Sequence, residues 1–292
     1  MVASKYISFR YYLLFATLLL IVPSNGKSQE QFPVENFKFS VQVEISSRVP
    51  ATGIYIRDSL NVYFVTAKHV LFDTSVDTLW SNKAKLSSPP EEDIFQGDLM
   101  EFSLDLKFLI SQAEIKYHKK HDVATIRMGG LSKNLKKVGL TKGVKLTGEI
   151  IPKSGFPALD IRFTKLYKDI LVGNNVYVIG YPSALGFQES PQFDYKRPLL
   201  RKGSIAGKFD KAKTVILDCP VYYGNSGSPV IQVTEVFGAK SYEVIGVIIQ
   251  FIPFDEAWTN RKILPPRTFS SNSGYSVVEP IDAILEVIYQ SP

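Results

Sequence analysis

Ser226 stands in the stretch "VYYGNSGSPVI" (221–231), fenced by Gly224 and Gly227 and set between two apolar runs. A serine hydroxyl is a weak nucleophile at neutral pH and needs an adjacent base to take its proton. The chain has three histidines, His69, His118 and His121, and all of them precede Ser226. This order excludes several hydrolase classes. An α/β-hydrolase runs Ser, acid, His, and no histidine follows Ser226. A G-x-S-x-G elbow would need glycine at 228, where Ser228 stands. A papain-type enzyme places its cysteine ahead of its histidine, whereas the single Cys219 follows all three. The order that survives is His, Asp, Ser.

His69 closes "VYFVTAKHV", where a strand pattern ends in a small-residue corner, and is the candidate base. Asp122 lies between the charged "HKKHD" and the apolar "VATIRM" and is the candidate acid, with Asp105 in "FSLDLKFLI" competing for the role. In such a set His69 takes the proton of Ser226, and Asp122 orients the imidazole and stabilises the imidazolium. The backbone N–H groups of Gly224 and Ser226 are the expected oxyanion donors, provided Asn225 bends the chain between them. Taken singly, each motif is also an ordinary glycine turn, strand-end histidine or solvated aspartate. The combination in this order carries the reading. His118, His121 and Asp122 are metal-ligand types, but two histidines three apart in a loop make a poor set, so neither metal nor cofactor is expected.

Such residues need a scaffold. Segments such as 37–45, 52–58, 61–67, 123–128, 175–182, 214–220 and 242–251 alternate with period two and are rich in Val, Ile, Tyr, Phe and Thr. That pattern predicts an antiparallel all-β protein of barrel or sandwich type. Helical periodicity is clear only in "EPIDAILEVIYQ" (279–290), with Ile281, Ile284, Leu285 and Ile288 as its apolar stripe. Two strand-rich halves, about 36–128 and 172–278, flank a connection over 129–171, where Lys133–Lys168 carries eight lysines.

The first residues read as an export leader: Lys5 and Arg10, then the apolar run Tyr11–Val22, then small residues that allow a cut after Gly26. Twelve apolar residues are too few for a bilayer span, which needs about twenty. No stable membrane insertion is therefore expected, and the destination is the periplasm or the medium. The chain has 292 residues and a formal charge of +6, which becomes +4 without the two cations of residues 1–26. This mild excess lacks the aromatic interleaving of a nucleic-acid face, so no nucleic-acid partner is expected. One cysteine allows no intramolecular disulfide, and the hydrophobic core must hold the fold.

"TAKHV", "HDVATIRM" and "GNSGSPV" resemble the three catalytic motifs of the chymotrypsin/trypsin-like serine peptidases, most of all bacterial glutamyl endopeptidases and the HtrA group. The resemblance spans about 36–290 and includes "VIGYPSALG" (178–186). It implies two six-stranded antiparallel barrels with the cleft between them, His69 and Asp122 on the first and Ser226 on the second. It also implies a primary specificity pocket walled by Pro220, Val221, Tyr222 and Tyr223 and by Ile249, Gln250 and Phe251. None of these seven is charged, so an apolar or small residue is expected on the acyl side of the scissile bond of a polypeptide substrate. Two departures stand out. Lys68 replaces the usual small residue before the histidine, and Asn225 stands where zymogen-type trypsins carry an aspartate, so no activation by a newly cut amine is expected. No PDZ-like segment follows the barrels, and a monomer is expected. The competing reading keeps the fold without the chemistry, as a secreted binding or adhesion module. An esterase on the same barrels would use the same parts.

Overall fold

The period-two runs fold as strands because β-branched and aromatic side chains pack well on a pleated surface. The computed structural model describes residues 32–46, 48–90, 94–131, 138–148, 156–183, 192, 194–260 and 263–290. The leader read in residues 1–26 lies outside them. Every element below belongs to the unit Glu35–Pro292.

In the first half the strands are β1 (Ser40–Ile45), β2 (Ala51–Arg57) and β3 (Asn61–Thr66), followed by the short helix α1 (Lys68–Leu71). A small hairpin, β4 (Phe72–Asp73) with β5 (Thr78–Leu79), leads to β6 (Lys83–Ser88), β7 (Met100–Asp105) and α2 (Leu106–Ser111). The half ends with β8 (Ile115–Tyr117), β9 (Ala124–Leu131), β10 (Val138–Leu140), β11 (Val144–Leu146) and β12 (Leu159–Asp160). These make one ten-stranded sheet in the order β10-β9-β3-β2-β1-β6-β7-β11, with β8 added on β9 and β12 on β2. All its pairs are antiparallel except β12 with β2. The lysine-rich stretch 129–171 thus carries three short strands that extend this sheet.

The second half comprises β13 (Asn175–Gly180), β14 (Leu199–Phe209), β15 (Thr214–Asp218), β16 (Pro229–Val236), β17 (Ala239–Asn260) and β18 (Ile263–Pro280), ending in α3 (Ile281–Tyr289). Its six strands close into a barrel in the order β13-β14-β15-β18-β17-β16. The fold is all-β, of the chymotrypsin-like two-barrel kind, with the first barrel formed by a curled sheet of more than six strands.

Each half has its own core. Tyr55 is fully buried in the first, where its ring meets Phe64, Phe102 and Phe156 edge-on at 6.1, 6.4 and 4.6 Å. The second is filled by Val176, Val178, Ile205, Leu217, Val230, Ile248 and Val278, together with Cys219. The two halves are joined by buried hydrogen bonds: Ser40 Oγ donates to the Ile179 carbonyl at 3.2 Å, and Tyr181 Oη donates to the Ser40 carbonyl at 3.1 Å. Burial pushes the Tyr181 phenol well above its usual range, so it stays a neutral donor. Helix α3 faces inward with Ile281, Ile284, Val287 and Ile288, and Pro280 caps it from just outside its first turn. Among the described residues no helix is long and apolar enough to cross a membrane.

Candidate active site

His69 is the second residue of α1, three positions beyond Thr66, where β3 ends. The corner is tied down because Thr66 Oγ1 donates to the Thr52 carbonyl at 2.7 Å, while Trp80 Nε1 donates to the His69 carbonyl at 3.0 Å. Asp122 lies in the loop between β8 and β9. That loop is shaped by His118, whose Nδ1 accepts the N–H groups of Lys120 and His121 at 3.0 and 2.9 Å.

The structure brings the three candidates together. Asp122 Oδ2 lies 2.7 Å from His69 Nδ1, and Asp122 Oδ1 accepts the His69 backbone N–H at 2.9 Å. His69 Nε2 lies 3.0 Å from Ser226 Oγ. The two aspartate bonds fix both the ring angle and its tautomer: with Nδ1–H facing a carboxylate, Nε2 is the free acceptor. Asp105, the competing acid, does other work. Its Oδ1 caps α2 by accepting the Phe108 N–H at 3.0 Å.

The turn around Ser226 is clamped by carbonyl bonds. The Tyr223 carbonyl accepts the Ser183 N–H at 2.8 Å, and the Asn225 carbonyl accepts the Ser228 N–H at 2.9 Å. A trans peptide is planar, so each clamped carbonyl turns the following N–H the opposite way. Those N–H groups belong to Gly224 and Ser226, and both residues line the cleft. Among the described residues neither N–H has an acceptor. Asn225 is buried, with Oδ1 accepting the Tyr222 N–H at 3.1 Å and Nδ2 donating to Ser228 Oγ at 3.4 Å. Its amide therefore closes the turn by itself, without a charged partner.

Two glycines allow the turn to nest against the first sheet. Gly224 and Gly227 have φ of +95° and +85°. A Cβ on Gly227 would run into the Thr52 carbonyl oxygen and Thr66 Oγ1. Gly227→Ala is therefore expected to cost about 3 kcal/mol or more, with loss of activity, since strain and a backbone clash combine. Gly238→Ala, at φ +80° in open space, carries strain alone and should cost about 1–2 kcal/mol. Thermal denaturation of the two variants reads the difference; equal losses would mean that the Thr52 contact yields freely.

The trypsin-like peptidase domain matches residues 51–238, more than half of the sequence. The chain belongs to the trypsin-like peptidase family. Among solved structures, a serine endoprotease from Yersinia pestis is 15% identical, with 89% of this chain and 66% of that one covered and a TM-score of 0.45. Deg5 is 15% identical over 88% and 93% of the two chains, with a TM-score of 0.48. Protease Anisep from Arthrobacter nicotinovorans is 11% identical over 82% and 88%, with a TM-score of 0.47. At these values the likenesses add nothing to the family assignment, which rests on the domain match. This chain spans just under two-thirds of the Yersinia protein. None of the curated proteins matches the sequence.

In this trypsin-like chain Ser226 and His69 line a cleft of about 490 Å³. Val221, Tyr222, Tyr223, Ile249, Gln250 and Phe251, which the family resemblance implies as pocket walls, line it, and the rings of Tyr223 and Phe251 meet edge-on at 5.6 Å. Pro220 does not line it. Cys219 and Val221 on either side are buried in the barrel core, and the alternation of the chain turns Pro220 out to solvent. The segment Arg48–Ala51 lines the cleft too and is absent from the sequence-based set. It leads into β2, and Thr52 brings it beside the serine, with its N–H donating to the Ser226 carbonyl at 2.9 Å and its Oγ1 to the Gly224 carbonyl at 2.6 Å. Lys68 points away from the cleft: its Nζ lies 2.6 Å from Asp77 Oδ1 and 4.3 Å from the centre of the Tyr117 ring. Cys219 is inert packing, with burial pushing its thiol up to about 11.

A further residue of the site escaped the sequence. Glu279, at the end of β18, is 2% exposed, and its Oε2 accepts the Asp122 backbone N–H at 3.2 Å. Burial raises the pKa of its carboxyl, opposed by His121 at its side. The sequence signal, a glutamate before "PIDAIL", looks like ordinary acid at a helix start.

Proposed function

We propose that this protein is an exported serine endopeptidase that cuts polypeptides through an acyl-enzyme on Ser226, with His69 as general base and acid and Asp122 as its orienting partner. The unbroken line from Asp122 Oδ2 through the His69 ring to Ser226 Oγ, at 2.7 and 3.0 Å, carries this reading. As Ser226 Oγ bonds to the scissile carbonyl carbon, its proton passes to His69 Nε2, and the carbonyl oxygen becomes an oxyanion facing the Gly224 and Ser226 N–H groups. The C–N bond then breaks as Nε2–H gives that proton to the leaving amine. Water, deprotonated by the same nitrogen, attacks the acyl carbon, and the bond from that carbon to Ser226 Oγ then breaks as Nε2–H returns the proton to Oγ. The uncharged walls at residues 221–223 and 249–251 support an apolar or small residue on the acyl side, while Arg48, a cation among the lining residues, lies over the Trp80 ring. Export rests on the leader read in residues 1–26. The binding-module reading draws on Lys68 and on a pocket narrowed by Phe251; Lys68 pairs with Asp77 and does not line the cleft, while Phe251 does.

A fluorophosphonate probe tests the central step. An adduct is expected on the folded protein, mapping to Ser226 by intact and peptide mass and absent from Ser226→Ala and His69→Ala. A folded protein that stays unlabelled would sink the reading.

A further inference from the structure

We propose that Glu279 is a positioning residue for Asp122, and that together with His121 it forms a carboxylate–imidazole brace that sets the charge beside the triad. This rests on the proposed reading of Ser226, His69 and Asp122. Asp122 is gripped at both ends: its carboxylate holds His69 at 2.9 and 2.7 Å, and its own N–H is held by Glu279 Oε2 at 3.2 Å. The other oxygen, Oε1, lies 2.7 Å from His121 Nδ1. A carboxylate that is 2% exposed is costly to keep unless it is paired, and these two neighbours from the Asp122 loop are its partners.

The brace is itself backed. The His118 ring lies 4.5 Å from that of His121, and His118 Nε2 is 3.0 Å from Glu286 Oε2 on α3. Because His118 Nδ1 accepts two backbone N–H groups, its proton sits on Nε2, facing Glu286. Glu279 therefore meets His121 and Asp122 from the loop, while Glu286 reaches the network from the helix through His118. All three histidines of the sequence lie in one cluster. His69 would do the chemistry, and the other two would hold the loop that carries its partner. Glu279 comes from the second barrel and Asp122 from the first, so the brace ties the triad across the two halves.

A second carboxylate beside Asp122 favours the imidazolium on His69 that forms when Ser226 gives up its proton. Removing its charge should move the acid limb of reactivity to lower pH and slow the reaction. The test is the second-order rate of fluorophosphonate inactivation between pH 5 and 9, with thermal denaturation alongside. For Glu279→Gln, which keeps an oxygen for the Asp122 N–H, the midpoint should fall by about 0.3–0.5 pH units, with a rate loss of about threefold. For Glu279→Ala, which also frees that N–H, the rate should drop by about tenfold or more, and the Gln variant then counts as partial rescue. Should the Glu279 variants fail to fold, His121→Gln keeps the proposal testable. It takes away the ring 2.7 Å from Oε1 while leaving Glu279 in place, and should lower the inactivation rate and shift its pH midpoint. Variants that are less stable but trace the wild-type pH profile would overturn the proposal while leaving the triad standing. A wild type that is unlabelled at every pH would remove both.

Discussion

Ser226→Ala should lower kcat for a cleavable peptide by about 10⁶-fold, leaving only what the oxyanion donors and binding contribute. The loss is this large because the bond-forming atom itself is removed, while the clamps on the Tyr223 and Asn225 carbonyls stay in place. His69→Ala should cost about as much, since Ser226 Oγ then has no acceptor within hydrogen-bond reach at the 3.0 Å position. The double variant should be no worse than either single one, because the two residues act as a unit. Single-turnover assays with a fluorogenic peptide read all three. Losses that multiply in the double variant would show that His69 and Ser226 act independently, against the mechanism.

Asp122→Asn should cost about 10⁴-fold with little change in stability. The geometry says why. The His69 backbone N–H demands an oxygen at the Oδ1 position, 2.9 Å away, so an asparagine there must turn its NH₂ towards Nδ1, which now lies 2.7 Å from Oδ2. Nδ1 then becomes the acceptor, the ring proton moves to Nε2, and the nitrogen facing Ser226 can no longer take a proton. Nitrogen NMR of the His69 ring should report that tautomer. Asp105→Asn serves as the control: it touches only the cap of α2 and should leave the rate unchanged. The reverse result, with Asp105 essential and Asp122 dispensable, would reassign the acid.

The strands that carry the site were legible because their alternation is local. The run 61–67 is β3 almost to the residue, and 175–182 contains β13. The order of His69, Asp122 and Ser226 was legible because excluding other hydrolases needs no coordinates. Side-chain direction was not. Lys68 stood out in the sequence as a departure beside His69, and its contacts with Asp77 and Tyr117, apart from the cleft lining, could not be read there. Glu279 was hidden because its partner, Asp122, lies far away in the chain and no local pattern links them. The strand β18 was masked by Pro265 and Pro266, which speak against a central strand. Beyond the barrel it pairs with β17 as a hairpin, where each strand keeps one edge without a ladder partner among the described residues, and a missing N–H costs little there. The strands of 138–160 were hidden by their shortness, two or three residues each, and by the lysines in the stretch around them.

The closed order of the second barrel also has a meaning in time. β15 pairs with β18, Val215 opposite Val278, although about sixty residues lie between them in the chain. A polypeptide threaded from its N-terminus delivers the serine turn early and the closing strand late. Until β18 arrives, β15 and β17 have no common neighbour, and neither α3 nor Glu279 has reached the first sheet. The proposed site therefore gains its closing strand, and with it Glu279 beside Asp122, only after the residues of the proposed triad have all been delivered.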